Sequence, residues 1–328
     1  MRARHAPARW MFVASRHRVL TAHAARVRSA HMAVSESSPS PLVTVVTPSF
    51  NSAEFIERTI LAVKSQEYPR VEHILMDGGS TDHTMEIVER HRAHFTHIHS
   101  GKDNGMYDAI HRGFAQSSGE IMTWLNSDDE WLPGTLRTVT RLFQEFPDVE
   151  FMTSGFPCAI DATGAMIATA RLSGFSRNGS KRGEFLPACG WPADGFIQQE
   201  STFWRRSLWE RAGSRMDHSL QFAGDYELWS RFLSMAQLWC VEVPLGCFRR
   251  REGQKTAVAL NSYLDEARTV FLRSGGKIPS RLNATLRVGF RRHAPPQIKQ
   301  FLGRNGWYER RPHLLYDWGA SRWTQSWY

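Results

Sequence analysis

The sequence predicts an α/β fold, a mostly parallel sheet flanked by helices, with basic extensions at both ends of the chain. Between residues 42 and 154, short apolar runs alternate with segments in which apolar residues recur at helical spacing. This alternation is typical of βαβ units. Polar clusters follow the apolar runs where parallel strands would end. No repeat of roughly 20 to 50 residues is visible, which argues against solenoids and propellers.

The first half of the chain can be divided into elements in order. Leu42–Val46 is an apolar, β-branched run that predicts a buried strand, and Pro48 stops it. Asp82 is interpreted as the N-cap of the second helix. Further strands are predicted at 71–76, 95–99, 121–125 and 149–153, and helices at about 55–63, 82–94, 106–116 and 132–146.

The pattern changes after Ser154. Residues 158–170, with Gly164 in their middle, are predicted to form a β-hairpin. Residues 171–199 are rich in Gly and Pro and are predicted to be loop. Helices are then predicted at 207–211 and 225–235, a strand at 239–243 and a basic turn at 249–254.

The formal net charge of +9 is unevenly distributed. Residues 1–40 hold seven Arg against one acid and residues 273–328 hold eleven Lys or Arg against two, so the segment between them carries a net −6. A folded nucleic-acid-binding domain would carry a basic stripe of its own, so we expect no nucleic-acid partner. The four Cys lack metal-ligand spacing, which argues against a zinc site or disulfide framework and fits a cytoplasmic protein.

The two ends of the chain are expected to be extensions. Residues 1–40 mix Arg, His and Ala with a closing Ser/Pro run, which predicts a disordered basic leader. A start at Met32 and a transit peptide stay open as alternatives. Residues 257–328 are expected to form a basic, Trp-rich helical extension. No apolar stretch approaches the roughly 20 residues that span a bilayer.

Polar clusters lie at the predicted carboxyl ends of four strands, where ligands bind in open α/β sheets. They are Thr47–Asn51, Asp77, Asp103–Gly105 and Asn126–Asp129. No glycine-rich phosphate-binding motif follows the first strand, so a dinucleotide or triphosphate cradle is not indicated. The turn that stands there can offer amides and a hydroxyl to a nucleotide.

The cluster Asn126-Ser127-Asp128-Asp129 is the sharpest of the four. Carboxylate and amide oxygens are hard ligands, suited to Mg²⁺ or Mn²⁺ carrying a diphosphate, and such a metal neutralises charge on a departing nucleotide. The alternative is an Asp-rich turn that caps the next helix, with Asp129 as the cap. Spacing alone leaves the two interpretations about equal.

Asp225 stands at the start of a predicted helix, in Phe222-Ala223-Gly224-Asp225-Tyr226. Taken alone, this position favours an N-cap. As a catalytic residue, Asp225 would be the general base that takes a proton from an acceptor hydroxyl.

In their ordered succession these motifs resemble the family-2 glycosyltransferases, which have the Rossmann-like GT-A fold. The matching strings are TPSFN, MDGGSTDHT, GKDNGMYDAIHRGFAQSSGE, LNSDD, QQESTFWRRSLWERAG and AGDYELWSRF. Their order is far more specific than any single motif. The resemblance implies a GT-A domain at 41–256, with a nucleotide-sugar-binding half at 41–154 and an acceptor-side half at 155–256.

The resemblance implies roles only at matching positions. Asp225 would be the catalytic base, and Asp128, which matches the second acid of the DxD motif, would be the metal ligand. Asp77 would contact the nucleotide base or ribose. The other nucleotide-sugar-binding positions are Thr47, Pro48, Ser49, Asn51, Glu54, Asp103, Asn104, Gly105, Asp108, Asn126 and Ser127.

The implied reaction is a single in-line displacement with inversion. An acceptor hydroxyl, deprotonated by Asp225, would attack the anomeric carbon as the nucleotide diphosphate leaves with a divalent cation. Two positions depart from the family pattern: Asn126 replaces the first acid of DxD, and Gly224 replaces the Glu that often precedes the base. His111 stands where an Asn is common and is interpreted as a surface helix residue.

Several interpretations stay open. The turn at Arg249–Arg251 could meet phosphate oxygens or be solvated. Gln199–Thr202 could shape the acceptor site or form a buried helix lead-in. The Trp and Arg of the C-terminal extension could bind an anionic membrane or pack on the core.

The expected partners are a nucleotide-diphosphate sugar donor and a glycan or lipid-linked acceptor. The expected location is cytoplasmic, with peripheral association at the inner membrane face. Because of Asn126, an inactive sugar-nucleotide-binding protein of the same fold is the alternative. A processive synthase is not indicated, since the sequence has no transmembrane stretch and no QxxRW motif.

Overall fold

The computed structural model describes residues 39–187, 195–252, 254, 259–304 and 309–327. All but the end of the predicted leader lies outside this part of the chain, as do Cys189 and Trp307. The strands are β1 (Val43–Ser49), β2 (Val71–Asp77), β3 (His97–Ser100), β4 (Ile121–Trp124), β5 (Glu130–Trp131), β6 (Phe151–Ser154), β7 (Cys158–Ile160), β8 (Met166–Thr169), β9 (Thr202–Arg205), β10 (Leu238–Val241), β11 (Gly246–Arg249), β12 (Pro312–Asp317) and β13 (Arg322–Trp327). The helices are α1 (Ile56–Lys64), α2 (Thr84–Arg90), α3 (Met106–Ala115), α4 (Thr135–Glu145), α5 (Arg177–Lys181), α6 (Arg206–Arg211), α7 (Gly224–Met235), α8 (Leu260–Arg273), α9 (Arg281–His293) and α10 (Pro296–Arg304).

A nine-stranded sheet forms the centre of the described structure, in the order β13-β12-β10-β6-β9-β4-β1-β2-β3. Neighbouring strands are parallel, except that β9 is antiparallel to β4 and β6, and β13 to β12. The mostly parallel α/β sheet predicted from the sequence is therefore confirmed. Its register places Ser49 beside Asp77 and Asp77 beside Ser100, so the ends of β1, β2 and β3 share one edge.

Close packing in one hydrophobic cluster fixes α3 and α7, the helices that carry site residues. α3 lies so near β1 that a Cβ on Gly113 would come within 2.6 Å of Val46. Trp124 of β4 stacks on Trp229 of α7 with 5.4 Å between ring centroids, and Trp204 of β9 packs edge-on against both. This aromatic cluster holds α7 against the sheet.

A second sheet has four strands in the order β5-β11-β7-β8. The hairpin predicted at 158–170 is confirmed, because β7 and β8 are antiparallel and Gly164 lies in the turn with φ of +93°. β11 pairs with β5, opposing Cys247 to Glu130. This pairing brings the basic turn at 249–254 beside the residues that follow β4.

The C-terminal extension differs from the helical prediction. After α8, α9 and α10, β12 and β13 form a hairpin that joins the central sheet beside β10. Trp327 meets Trp239 edge-on at 5.3 Å, and Trp323 packs against the core. The prediction was wrong for residues 312–327 because their partner strand, β10, lies far away in the sequence.

Two of the proposed helix caps also differ from the structure. α2 begins at Thr84, whose N–H donates to Asp82 at 3.0 Å, but the N-cap position itself is His83. α4 begins at Thr135, after a left-handed Gly134. Asp129 lies too far upstream to cap that helix, so the capping interpretation of Asp129 is wrong.

Candidate functional site

The turn after β1 is fixed to the turn after β2 by hydrogen bonds of Asn51. Its φ is +48°, a left-handed conformation that Asn tolerates better than most residues. Its side-chain oxygen accepts the N–H of Thr81 at 2.9 Å, and its own N–H donates to Ser80 Oγ at 2.8 Å. The first two predicted nucleotide-contacting segments therefore form one connected platform.

Asp77 is buried, and its carboxylate is engaged by the chain itself. Its Oδ2 accepts the N–H groups of Gly79 and Ser80 at 3.1 and 3.0 Å and the hydroxyl of Ser100 at 2.7 Å. The Ser80 hydroxyl donates to Oδ1. Asp77 thus holds the ends of β2 and β3 together, and its contact with a base or ribose stays a prediction.

The segment after β1 turns some side chains inward and others outward. Thr47 is fully buried, and its hydroxyl bonds to His73 at 2.9 Å. A contact of Thr47 with a nucleotide sugar would therefore have to use its main chain. Pro48 is buried as well, whereas Glu54 is exposed. Ser49 Oγ is buried and has no hydrogen-bond partner within the described residues, a state that buried hydroxyls usually avoid.

Phe50 is an exposed aromatic residue that the sequence analysis did not select. Its side chain is 62% exposed, between Ser49 and Asn51. A large apolar ring standing among polar strand-end residues is suited to stacking on a planar ligand. The signal was present in the sequence as an aromatic residue inside a polar turn.

The third cluster lies against the second. Gly105 has φ of +106°, which favours glycine, and its N–H donates to Asp103 Oδ1 at 2.8 Å. The other oxygen of Asp103 is so near Gly78 that a Cβ there would lie 2.9 Å from it. The loops after β2 and β3 therefore abut at the sheet edge.

The start of α3 carries Asp108 and His111. Asp108 accepts the N–H of Asn104 at 3.0 Å and pairs with Arg112 at 2.7 Å. Burial alone would raise the pKa of Asp108, but these two partners outweigh it and lower the pKa. His111 lies on α3, as predicted, and is half-buried, with its Nδ1 buried and its ring edge-on to His218.

In the fourth cluster, Asp128 forms an ion pair with Arg251. Asp128 Oδ2 lies 3.0 Å from Arg251 Nε. Asn126 Nδ2 donates to Asp129 at 3.1 Å, while Asn126 Oδ1 is buried and has no hydrogen-bond partner within the described residues. Ser127 Oγ meets Ser52 Oγ at 2.7 Å and ties this cluster to the platform after β1.

Arg249 has a structural role that neither sequence interpretation foresaw. It is fully buried and donates to the main-chain oxygens of Asp128 and Asp161 at 2.7 and 2.8 Å. It also pairs with Glu130. These bonds fix Arg249 on the main chain of Asp128, whereas Arg251 bonds to the Asp128 carboxylate.

Asp129 and Glu200 form a buried acidic pair beneath the fourth cluster. Burial raises the pKa of both; Asp128 adds to the rise at Asp129, and Asp129 to that at Glu200. Asp129 also accepts the N–H of Arg249 at 2.9 Å. Residues 199–201 form a 3₁₀ turn that leads into β9 and not into a helix. Asp129 and Glu200 lie far apart in the sequence, and no local pattern marked them as neighbours.

Asp225 lies inside the first turn of α7, so the capping interpretation is wrong for it as well. The N–H groups of residues 221–223 donate to Glu266 of α8 at 2.9 to 3.0 Å. Burial raises the pKa of Asp225 to about 6, against the opposing effect of the Tyr226 N–H. A carboxylate with a raised pKa of this kind can accept a proton near neutral pH.

The start of α7 lies beside the third cluster. A Cβ on Gly224 would come within 2.8 Å of the Tyr107 ring of α3, which explains sterically why this chain has no Glu before Asp225. A Cβ on Gly105 would lie 3.5 Å from the side chain of Gln221. The fold therefore brings Asp225 to the edge where the strand-end clusters lie.

Comparison with known proteins points to one family. Residues 44–178 match the model of glycosyl transferase family 2. An uncharacterised glycosyltransferase of Mycobacterium tuberculosis is 38% identical over 92 residues, or 28% of this chain and 35% of the relative. The GalNAc(5)-diNAcBac-PP-undecaprenol beta-1,3-glucosyltransferase of Campylobacter jejuni is 29% identical over 109 residues, or 32% of this chain and 35% of that enzyme. The chain thus spans about a third of the length of these relatives.

Two solved structures share the fold across most of the chain. TarS 1–349 of S. aureus, in complex with UDP-GlcNAc, has a TM-score of 0.57 at 15% identity, covering 81% of this chain and 78% of that one. The mannosyltransferase PcManGT of Pyrobaculum calidifontis, in complex with GDP-Man and Mn²⁺, has a TM-score of 0.52 at 18% identity, covering 78% and 71%. At these identities the likeness shows the fold alone, and the GT-A fold expected from the motifs is confirmed.

Proposed function

We propose that the chain, which belongs to glycosyl transferase family 2, is an inverting enzyme that moves a sugar from a nucleotide-diphosphate sugar to an acceptor hydroxyl. The observation that carries the proposal is the state of Asp225. It is half-buried, its pKa is raised to about 6, and it lies in the first turn of α7, one position past the first helical residue. A carboxylate placed in this way beside the strand-end clusters is suited to general-base catalysis.

The proposed reaction is a direct displacement. Asp225 accepts the proton of the acceptor hydroxyl, whose oxygen attacks the anomeric carbon of the donor sugar. The bond from that carbon to the diphosphate oxygen breaks, and its electron pair leaves with the nucleotide diphosphate. Attack and departure on opposite faces invert the anomeric configuration.

Residues 41–154 are proposed to hold the donor. Two neighbouring groups support this placement. The Ser49 hydroxyl has no hydrogen-bond partner among the described residues and offers a polar contact, and the exposed ring of Phe50 offers a stacking surface. The connected turns around Asn51, Asp77 and Asp103 form a fixed frame for the nucleotide. Preorganised contacts of this kind lower the entropy cost of binding.

Asp128 is proposed to bind Mg²⁺ or Mn²⁺ together with the donor. Asn126 Oδ1, which has no hydrogen-bond partner in the described part of the chain, would supply a second hard oxygen at the same strand end. In the described part of the chain, no group of three or more His, Cys, Asp or Glu could hold a metal by itself, so the remaining ligands would be diphosphate oxygens. When bound, the cation neutralises charge on the leaving group. Arg251, which pairs with Asp128, would then be available to the diphosphate.

The acceptor is proposed to bind on the side formed by residues 155–256, and to be a glycan or a lipid-linked sugar in cell-surface polysaccharide or glycolipid biosynthesis. One relative is named for an undecaprenol-diphosphate-linked substrate, which supports this class. No helix among the described residues is both long and apolar enough to cross a bilayer. We propose a cytoplasmic location with peripheral contact to the inner membrane face.

Release of nucleotide diphosphate across a panel of sugar donors, with Mg²⁺ and with Mn²⁺, tests the proposal. We expect at least one donor to be turned over, and turnover to rise with a lipid-linked acceptor extract. If no donor is bound or turned over under any of these conditions, the proposal is wrong.

A second candidate function is that of an inactive sugar-nucleotide-binding protein, which the Asn at position 126 favours. It predicts donor binding without turnover. It also predicts that an Asp225→Asn variant behaves as the parent protein does in every assay.

A further inference from the structure

We propose that the outward faces of α9 and α10 dock the protein on an anionic membrane surface. This surface, the α9–α10 surface, consists of Leu282, Leu286 and Ile298 with the basic residues Lys277 and Arg281. It lies outside the candidate active site, and only its link to acceptor delivery rests on the proposed function.

The apolar part of the α9–α10 surface is exposed and regular. Leu282 and Leu286 are 70% and 63% exposed and stand four residues apart, so they share one face of α9. Ile298 on α10 is 47% exposed. The opposite face of α9 packs inward through Ala284 and Val288. Scattered exposed Leu residues are ordinary, but α9 already has a buried face, so its second apolar stripe is not needed for the core.

The charge of this region selects the partner. Residues 273–304 contain eight Lys or Arg and no Asp or Glu, and Lys277, Arg281 and Arg287 are exposed. Apolar side chains flanked by cations bind anionic lipid surfaces, where the chains enter the interface and the cations meet headgroups. A second copy of the chain would bring the same positive charge against itself, which opposes a dimer through this face.

The α9–α10 surface is connected to the helix that holds the catalytic base. Glu184 pairs with Arg287 and Arg291 of α9 at 3.4 and 3.1 Å and with Arg311 at 2.9 Å. Glu266 of α8, the helix that precedes α9, accepts the N–H groups of residues 221–223, directly before α7. A protein docked through α9 and α10 would thus hold the base helix at a fixed position relative to a lipid-linked acceptor.

This position of the membrane contact differs from the one that the sequence suggested. Trp323 packs against the core, and Trp327 meets Trp239 edge-on but is 48% exposed. Trp318 is 86% exposed. The exposed aliphatic residues of α9 and α10 add to the apolar area of these Trp side chains, and Lys277 and Arg281 are the exposed cations beside them.

Co-sedimentation of the full chain with phosphatidylcholine vesicles, with and without phosphatidylglycerol, tests the inference. We expect binding only to the anionic vesicles. Leu282→Gln with Leu286→Gln should weaken it about ten-fold, and Lys277→Gln with Arg281→Gln by at least about ten-fold. Met166→Gln with Ile167→Gln, which changes two other exposed apolar residues, on β8, should bind as the parent does.

Nucleotide-diphosphate binding and thermal unfolding of each variant report that it is folded, and a failure of the proposed transfer reaction leaves the vesicle result unaffected. The inference is overturned if the parent ignores anionic vesicles or binds both vesicle types equally. It is also overturned if the double Leu variant binds as the parent does, if soluble dextran sulfate binds as tightly as the vesicles, or if sedimentation velocity shows a dimer that the Leu changes abolish.

Discussion

The strand-end loops beside β1 to β4 and the C-terminal helices α9 and α10 use their side chains in opposite ways. In the loops, polar groups are bound to one another: Asn51 joins the first two turns, and Asp77 receives hydrogen bonds from three residues. In the helices, cations without nearby acids in the sequence stand beside exposed Leu side chains. The first arrangement holds the loop side chains in fixed positions through hydrogen bonds. The second suits a fluid partner without a defined shape, such as a lipid surface.

The largest effect on the loop side is expected from Asp128→Ala. Loss of the proposed metal ligand should lower turnover about a hundred-fold or more, because the leaving diphosphate loses charge neutralisation. Nucleotide-diphosphate release at saturating Mn²⁺ measures it, with the exposed Glu89→Gln as control. Parental turnover in Asp128→Ala would remove the metal role from this residue.

Lowering the pH should reduce kcat/KM by about ten-fold for each unit below the pKa of the base. Burial raises the pKa of Asp225 to about 6, so the active, deprotonated form is lost as the pH falls through that value. A pH profile with one donor measures the effect. A profile that stays flat well below pH 6 would contradict the assignment of Asp225.

Phe50→Ala sharpens the account of the donor platform. Removal of a stacking ring should weaken nucleotide-diphosphate binding about ten-fold, with little change for free Mn²⁺. Calorimetric titration with nucleotide diphosphates measures it. The control is Leu61→Ala, another exposed apolar residue, and an equal effect of the two changes would show that stacking is not involved.

The smallest expected effects are those of Gly→Ala substitutions in α3 and in α9 on the free energy of unfolding. Gly113→Ala should lower the free energy of unfolding by about 1–3 kcal/mol, since its Cβ would meet Val46 at 2.6 Å. Gly289→Ala on α9 meets nothing within 4 Å and should raise it by about 0.5–1 kcal/mol. Urea unfolding measures both. Changes of the same sign in the free energy of unfolding would contradict the tight packing of α3 at Gly113 or the open space around Gly289.

The elements around the first four strands could be predicted because their signals are local. Each apolar run lies next to its own helix, and each polar cluster follows its own strand, so spacing alone placed Asp77, Asp103 and Asp128 at one edge. The hairpin at 158–170 was likewise marked by its central glycine. These features need no knowledge of distant contacts.

The parts that escaped prediction depend on residues far apart in the sequence. Glu266 of a later helix accepts the N–H groups directly before α7. Arg249 bonds to residues 121 and 88 positions earlier, and β12 pairs with β10. Such pairings follow from tertiary packing and not from local pattern. The structure also excludes Asp225 as an N-cap, the position that spacing alone had favoured.

The most direct test of the central claim compares nucleotide-diphosphate release by the parent chain and by Asp225→Asn, with the exposed Glu210→Gln as a matched carboxylate-to-amide control. We expect the parent and the control to turn over the same donor. Asp225→Asn should bind that donor normally while its turnover falls about a thousand-fold. Turnover by Asp225→Asn at the parental rate would contradict the claim.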